Sequence, residues 1–349
     1  MPIAAPGSLV LVTGASGFAG GYIVKALLEA GYKVRVTARS EAKVEHVRQL
    51  FPSHAASIEG AVVADIIEPA AFDAAVVGIN AVVHAASPVI LTHTGDPDDI
   101  VLPAVRGVTN LLDSLARHNP NIERFVQISS VAAIAFSTPD GPRVFDESYW
   151  NDESVRLVRA NGAAASGGLK YQASKTLSER ALWDYIEDKK PAFDAVSILP
   201  SLILGPPTQY NTTEEVTGSP RLILPYVKPG KTAAELVSAP YNSVDVRDVA
   251  LASVRALTTP EAAGQRFILS ATPFFGNDVA VVAAAAFPDI KGYTAGNPDK
   301  AVREKLDAEA VRYDGSKAER VLGFKYVAKD ETIRNTLEAL QPKLVAAAA

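Results

Sequence analysis

The stretch LVTGASGFAGGYIVKALLEAG, residues 11–31, places three glycines (Gly14, Gly17 and Gly20) between an apolar run and a helical pattern. The run SLVLVT (8–13) reads as a short buried strand, and FAGGYIVKALLEAG (18–31) carries apolar residues at helical spacing and ends on Gly31, a helix stop. The spacing G-x-x-G-x-x-G differs from the commoner G-x-G-x-x-G, but the physics is shared. One glycine permits the tight turn, another lets backbone approach a pyrophosphate, and a third lets the helix pack on the strand. The helix N-terminus then offers amides and its positive dipole end to phosphates. A dinucleotide is therefore expected against Thr13, Gly14, Ser16, Gly17, Phe18, Ala19 and Gly20.

The end of the second strand discriminates between dinucleotides. An NAD site wants a carboxylate there for the ribose 2′-hydroxyl. Here KVRVTAR (33–39) ends on Arg39, and Lys43 follows one turn into the next helix, SEAKVEHVRQLF (40–51), with Ser40 as its N-cap. A guanidinium without a carboxylate suits a 2′-phosphate, so NADPH is the expected cofactor.

The same alternation continues down the chain. AVVAD (61–65), AVVHAA (81–86), RFVQISS (124–130) and AVSILPS (195–201) read as further buried strands, with helical patterns between them. Strand–helix alternation predicts an α/β fold, a doubly wound parallel sheet with right-handed crossovers. DPDD (96–99) resembles a carboxylate cluster, but it precedes IVLPAVRGVTNLL and reads as a helix N-cap rather than a metal site. After Ser201 the rhythm breaks into a Pro-, Gly- and Thr-rich stretch, followed by SVDVRDVALASVRALT (243–258) as helix and GQRFILSA (264–271) as strand. The expected division is a nucleotide-binding domain over 1–201 and a smaller, mainly substrate-binding lobe over 202–349, with 243–271 returning to the first.

Composition narrows the function. The 349 residues are 48% apolar with a net charge of −5 and no basic block, which argues against nucleic acid or a polybasic membrane contact. There is no cysteine, which excludes disulfides, thiolate catalysis and cysteine-ligated metals. The five histidines stand at no ligand spacing, and no metal is expected. The N-terminus lacks a signal peptide's basic region, and no run approaches the ~20 apolar residues of a membrane span. A cytoplasmic protein, monomer or homodimer, is the expectation.

Three tyrosine–lysine pairs share one spacing: Tyr171/Lys175, Tyr185/Lys189 and Tyr313/Lys317. Only position in the fold separates them. Ligands of a parallel sheet bind beyond the carboxyl ends of its strands. QISS ends the fifth strand there, and YQASKTLSERALWDYIED (171–188) is expected to begin at Tyr171 as the returning helix. Residues four apart share a helix face, which puts Lys175 beside Tyr171. Tyr185 lies about 21 Å further along the helix, and Tyr313 precedes a late helix that no glycine loop accompanies. Tyr171 is thus the expected acid for a carbonyl reduction, its pKa of about 10 drawn down by the Lys175 cation. Ser130 is the expected carbonyl-orienting hydroxyl, with Ser129 behind it.

These motifs together carry a resemblance. LVTGASGFAG, VRVTARS, VVADI, VVHAASPV, RFVQISS, YQASK and LPSLILGP stand in the order of the extended short-chain dehydrogenases/reductases. The chain resembles their dihydroflavonol-reductase-like branch and the fungal carbonyl and aldehyde reductases within it; SVDVRDVA (243–250) and YDGSKAERVLGF (313–324) extend the likeness over nearly the whole chain. The resemblance implies a Rossmann fold with Asp65 and Ile66 at the adenine and Ala85, Ala86, Ser87 and Ser129 lining the cofactor. Pro200, Ser201, Leu202 and Ile203 would meet the nicotinamide. Asn110 matches a comparable residue in many relatives, with packing as the alternative. Substrate walls are expected from Pro88, Val89, Phe136, Leu202, Tyr210 and Tyr226, suiting a small apolar or aromatic carbonyl compound. Two rivals share the fold: a sugar-nucleotide epimerase or dehydratase, against which Arg39 speaks, and a non-catalytic NADP sensor, against which the Tyr171/Lys175 pair speaks.

Overall fold

Seven of the Val- and Ile-rich segments pair into one parallel sheet. The computed structural model describes residues 4–87, 92–135, 143–207, 218–238 and 240–346. In chain order the strands are β1 (Leu9–Thr13), β2 (Lys33–Ala38), β3 (Ile58–Val62), β4 (Ala81–His84), β5 (Arg124–Ile128) and β6 (Val144–Phe145). They continue as β7 (Asp194–Pro200), β8 (Leu202–Leu204), β9 (Tyr241–Asp245), β10 (Gln265–Leu269), β11 (Thr272–Phe274) and β12 (Arg312–Tyr313). The main sheet runs β3-β2-β1-β4-β5-β7-β10, with every pair parallel. The chain moves outward from β1 to β3, then crosses back to β4 and moves outward the other way. β1 and β4 therefore form the switch point at which a crevice opens beyond the carboxyl ends.

The helices are α1 (Phe18–Glu29), α2 (Glu41–Leu50), α3 (Asp98–His118), α4 (Asp152–Asn161), α5 (Gly167–Lys189) and α6 (Ala233–Leu236). After them come α7 (Val246–Thr258), α8 (Gly276–Ala286), α9 (Lys300–Glu309), α10 (Ser316–Leu322) and α11 (Lys329–Ala346). α1 packs with α7, and α3 with α5. One core joins Val10, Val12, Ile23, Leu27, Val249 and Phe267, and a second joins Leu11, Val82, Leu111, Phe125 and Leu182. Successive β1 residues thus feed opposite faces, which is why these strands read as continuous apolar runs. Val10, Leu11 and Val12 are fully buried, each contributing about 1.5–3 kcal/mol. α7 and β10 add the late segment to these layers. A three-stranded sheet, β11-β9-β8, has its own core of Leu204, Ile223, Phe274, Val279 and Leu337. No helix among the described residues is long and apolar enough to cross a membrane.

Four local expectations shift. The third strand lies at 58–62, not 61–65; as an edge strand pairing only with β2 it tolerates Glu59 and Gly60, which hid it. α5 starts at Gly167, a turn before Tyr171, because Ser166 caps it by accepting from Leu169 N at 3.2 Å. Ser40 holds the N-cap position of α2, yet its side chain accepts no capping bond. The segment from 243 begins as strand, and Asp245 then caps α7 by accepting from Arg247 N at 2.9 Å. In DPDD, Asp96 Oδ1 accepts from Asp98 N at 2.9 Å as α3 opens.

Candidate active site

The glycine loop is pressed between two backbones. Gly14 has φ +70°, and a Cβ there would stand 2.8 Å from Ala86 N. A Cβ on Gly20 would stand 2.1 Å from Gly14 O, which is backbone and cannot swing aside. Gly17 donates its N–H to Gly14 O at 3.0 Å and is the N-cap of α1, so the turn delivers the chain directly into the helix. Ser16, Phe18 and Ala19 stay partly exposed, the Phe18 ring meeting Tyr22 edge-on at 6.0 Å.

Thr13 is fully buried, and its hydroxyl is committed inside the protein. It accepts from Ala85 N and Ala86 N, both at 3.1 Å, and contacts His84 Nδ1 at 2.8 Å. A hydroxyl has one proton and two lone pairs. With both lone pairs used, Thr13 donates to Nδ1, and His84 carries its own proton on Nε2. Burial, then the charge of Lys175, holds His84 down to about 3, so it stays neutral. Thr13 therefore ties β1 to the turn after β4 and holds the loop floor through Ala85 and Ala86.

Of the other residues expected at the nucleotide, Arg39 and Lys43 are exposed and have no hydrogen bond or ion pair among the described residues. Ser87 Oγ is buried with no partner among the described residues. Two unpartnered cations, an unpartnered hydroxyl and a loop that admits no side chain fit a dinucleotide carrying an extra phosphate. Asp65 is exposed and its Oδ1 accepts from Ile67 N at 3.0 Å, fixing the turn after β3. Asn110 donates to Ile66 O and Glu68 O, both at 3.0 Å, so it braces that turn, and Ile66 packs where Gly107 lacks a side chain. Pro200 lies opposite Leu269 in the sheet, and Ser201 donates both its N–H and its hydroxyl to Leu269 O at 2.9 and 3.1 Å. Leu202 and Ile203 are partly buried in β8.

The two serines that end β5 point differently. Ser129 Oγ donates to Glu179 Oε2 at 2.8 Å and is buried. Ser130 is partly exposed; its Oγ accepts from Ala132 N at 3.1 Å and faces the Tyr171 hydroxyl closely enough to draw it down. Lys175 is buried, with Nζ 5.8 Å from the Tyr171 ring centroid. Burial brings Lys175 down to about 8, opposed by the charge of Glu179. Burial pushes Tyr171 up, and what pulls it back is Ser130. Burial and Ser130 are thus the causes that act on the phenol here.

Glu179, Arg266 and His84 escaped sequence reasoning. Glu179 is buried four residues after Lys175 and is gripped by Arg266 Nε at 2.7 Å and Nη2 at 3.2 Å. One register row carries Thr13, His84, Gln127, Ser197 and Arg266 across five neighbouring strands, every one buried. This polar row lies under α5, where Gln127 Nε2 donates to Ser178 Oγ at 3.1 Å. The step of four from Lys175 to Glu179 was a usable signal, as was an arginine inside a strand otherwise read as buried.

Other expected residues are elsewhere. Tyr226 packs into the core of the smaller sheet, its ring 2.4 Å from where a Gly276 side chain would stand, so it is a core residue and not a wall. Tyr185 Oη donates to Leu112 O at 3.3 Å beneath α3. Pro88, Val89, Phe136 and Tyr210 lie outside the described residues.

Comparisons with known proteins agree with this geometry. Residues 10–270 match the NAD dependent epimerase/dehydratase family. The chain is 35% identical to the ketoreductase azaE of Aspergillus niger over 91% of its own length and 93% of that protein's. It is 33% identical to aldehyde reductase 2 of Sporidiobolus salmonicolor, covering 84% of this chain and 85% of that one. The crystal structure of yeast methylglyoxal/isovaleraldehyde reductase Gre2 complexed with NADPH superposes with a TM-score of 0.84 at 30% identity, covering 96% of this chain and 98% of that one. The chain belongs to the NAD dependent epimerase/dehydratase family, the extended short-chain dehydrogenases/reductases, among relatives that include a ketoreductase, an aldehyde reductase and an NADPH-dependent methylglyoxal reductase.

Proposed function

We propose that this chain reduces small ketones or aldehydes to alcohols with NADPH, using Tyr171 as proton donor. The observation that carries the reading is that Ser130, at the carboxyl end of β5, acts on the Tyr171 hydroxyl, with Lys175 on the same helix face. The glycine loop, Ser87 and the free cations Arg39 and Lys43 would hold the cofactor. Bound there, NADPH supplies the hydride that the carbonyl carbon receives. Negative charge then collects on the carbonyl oxygen. Ser130 donates a hydrogen bond to that oxygen and fixes its position, and the Tyr171 hydroxyl gives it a proton. The phenolate left on Tyr171 is stabilised by the Lys175 cation, and a proton from solvent restores the acid. Arg39 supports this reading over an NAD-retaining epimerase, because it places a guanidinium where an NAD site wants a carboxylate. A cytoplasmic location is part of this reading, as it suits an NADPH-dependent reduction. The direct test follows NADPH absorbance with a panel of aryl ketones, aldehydes and diketones. Consumption with at least one carbonyl compound is expected; binding of NADPH without turnover on the whole panel would leave the sensor reading standing instead.

A further inference from the structure

We propose that Glu179 is a positioning residue that keeps Lys175 charged beside Tyr171, its buried carboxylate held one helix turn from that lysine by Arg266 and Ser129. This rests on the reading of Tyr171 and Lys175 as the reacting pair. Tyr171, Lys175 and Glu179 follow at steps of four on α5 and so lie along one face. The Glu179 side chain is 0% exposed and that of Arg266 10%, and buried charges persist only when paired and hydrogen-bonded. Glu179 Oε1 accepts from Arg266 Nε at 2.7 Å and Trp183 Nε1 at 3.4 Å. Its Oε2 accepts from Ser129 Oγ at 2.8 Å and Arg266 Nη2 at 3.2 Å. Donors on both oxygens leave the carboxylate unable to turn.

Arg266 has anchors of its own. Its Nη1 donates to Glu147 O at 2.6 Å and Tyr149 O at 2.8 Å, and its guanidinium lies 3.7 Å from the centroid of the Trp150 ring. The arginine is therefore located without Glu179, and the carboxylate has a second use. Among the described residues the charged or titratable groups around Lys175 are Tyr171 and Glu179 on its own helix, His84 on β4 and, through Glu179, Arg266 on β10. Burial keeps His84 neutral, so it adds no charge. Two cations and one carboxylate leave a net positive site, which is what a developing phenolate needs. Ser129 completes the device: it holds Glu179 while its neighbour Ser130 holds Tyr171, so one strand end fixes both members of the pair.

The test reads pH. Tyr171 is pushed up and Lys175 brought down to about 8, so Lys175 is the first of the two to lose its proton as pH rises. Reduction needs the cation, hence kcat/KM should fall through an alkaline limb near that value. Glu179 raises Lys175; its removal must lower it. Glu179→Gln, assayed with the panel carbonyl that the wild type reduces fastest, should move the limb to lower pH by about one unit or more. Glu179→Asp, which keeps the charge, should return it toward the wild-type position. A Glu179→Gln enzyme whose melting temperature and plateau rate fall while its limb stays in place would overturn the proposal. Should that variant not fold, Arg266→Gln removes the competing cation instead, and its limb is expected above the wild-type one; an unmoved limb there overturns the proposal equally. The outcomes separate the two readings. An active Tyr171→Phe enzyme sinks the catalytic pair itself, whereas an inactive one with an unmoved Glu179→Gln limb sinks only the role of Glu179.

Discussion

Tyr171 and Lys175 stand four residues apart, as do Tyr313 and Lys317, and the two pairs have almost nothing else in common. The first pair shares one face of α5 below the carboxyl edge of the sheet. In the second, Tyr313 lies in the two-residue strand β12 against the Phe145 ring at 5.8 Å, while Lys317 sits in the first turn of α10 and donates to Arg266 O at 2.9 Å. Titration does not separate them. Burial lifts both tyrosines, Tyr313 to about 12, and depresses both lysines. What separates them is neighbours: Ser130 on the Tyr171 hydroxyl, Glu179 behind Lys175, and the glycine loop on the adjacent strands. A perturbed tyrosine–lysine pair marks an active site only where the sheet also presents a cofactor edge and an orienting hydroxyl.

The comparison can be broken from the cofactor side first. Gly20→Ala puts a methyl group 2.1 Å from Gly14 O, so the loop must move. A misplacement of about 1 Å can cost on the order of 10²-fold, and NADPH affinity by calorimetric titration should fall at least that far. Near-normal affinity would mean that the loop is not the phosphate cradle. A smaller loss is expected at Arg39, which has no protein partner among the described residues. Charged hydrogen bonds contribute roughly 1.5–3 kcal/mol, so Arg39→Ala should weaken NADPH by about 10- to 100-fold and leave NADH nearly unchanged. Equal losses for both cofactors would assign Arg39 to the fold.

The decoy tyrosines should respond weakly. Tyr185→Phe deletes one hydrogen bond, to Leu112 O, and should lower stability by about 1 kcal/mol in denaturant unfolding with turnover intact. Tyr313→Phe should do least. Its hydroxyl has no hydrogen bond among the described residues, so the change is expected within about 0.5 kcal/mol of wild type. A turnover defect in either variant would show that the pairs are less separate than their surroundings indicate.

Much of this was readable from the chain because local patterns decided it. The glycine spacing, the apolar strands and the helix carrying Tyr171 each follow from a few neighbouring residues. What stayed hidden depends on distant partners. Arg266 and Glu179 are 87 residues apart, and Thr13 and His84 are 71 apart, so no window contains either contact. The choice between Ser129 and Ser130 was open for the same reason, since it turns on Glu179 reaching back to β5. Tyr226 misled because an aromatic residue in a loop-rich stretch reads as a wall when nothing reveals Gly276 making room for its ring. β3 was displaced because half of an edge strand faces solvent, which erased the apolar run that marked its neighbours.

The central claim is that Tyr171, alone among the three spaced tyrosines, gives up a proton. It is tested most directly by measuring single-turnover rates and NADPH affinity for Tyr171→Phe, Tyr185→Phe and Tyr313→Phe beside the wild type. Losing a general acid typically costs about 10²- to 10⁴-fold, so Tyr171→Phe should fall by that factor with its melting temperature and NADPH affinity retained, and the other two should turn over at wild-type rates. A folded, NADPH-bound Tyr171→Phe enzyme that reduces a good substrate at near-normal rate would contradict the account.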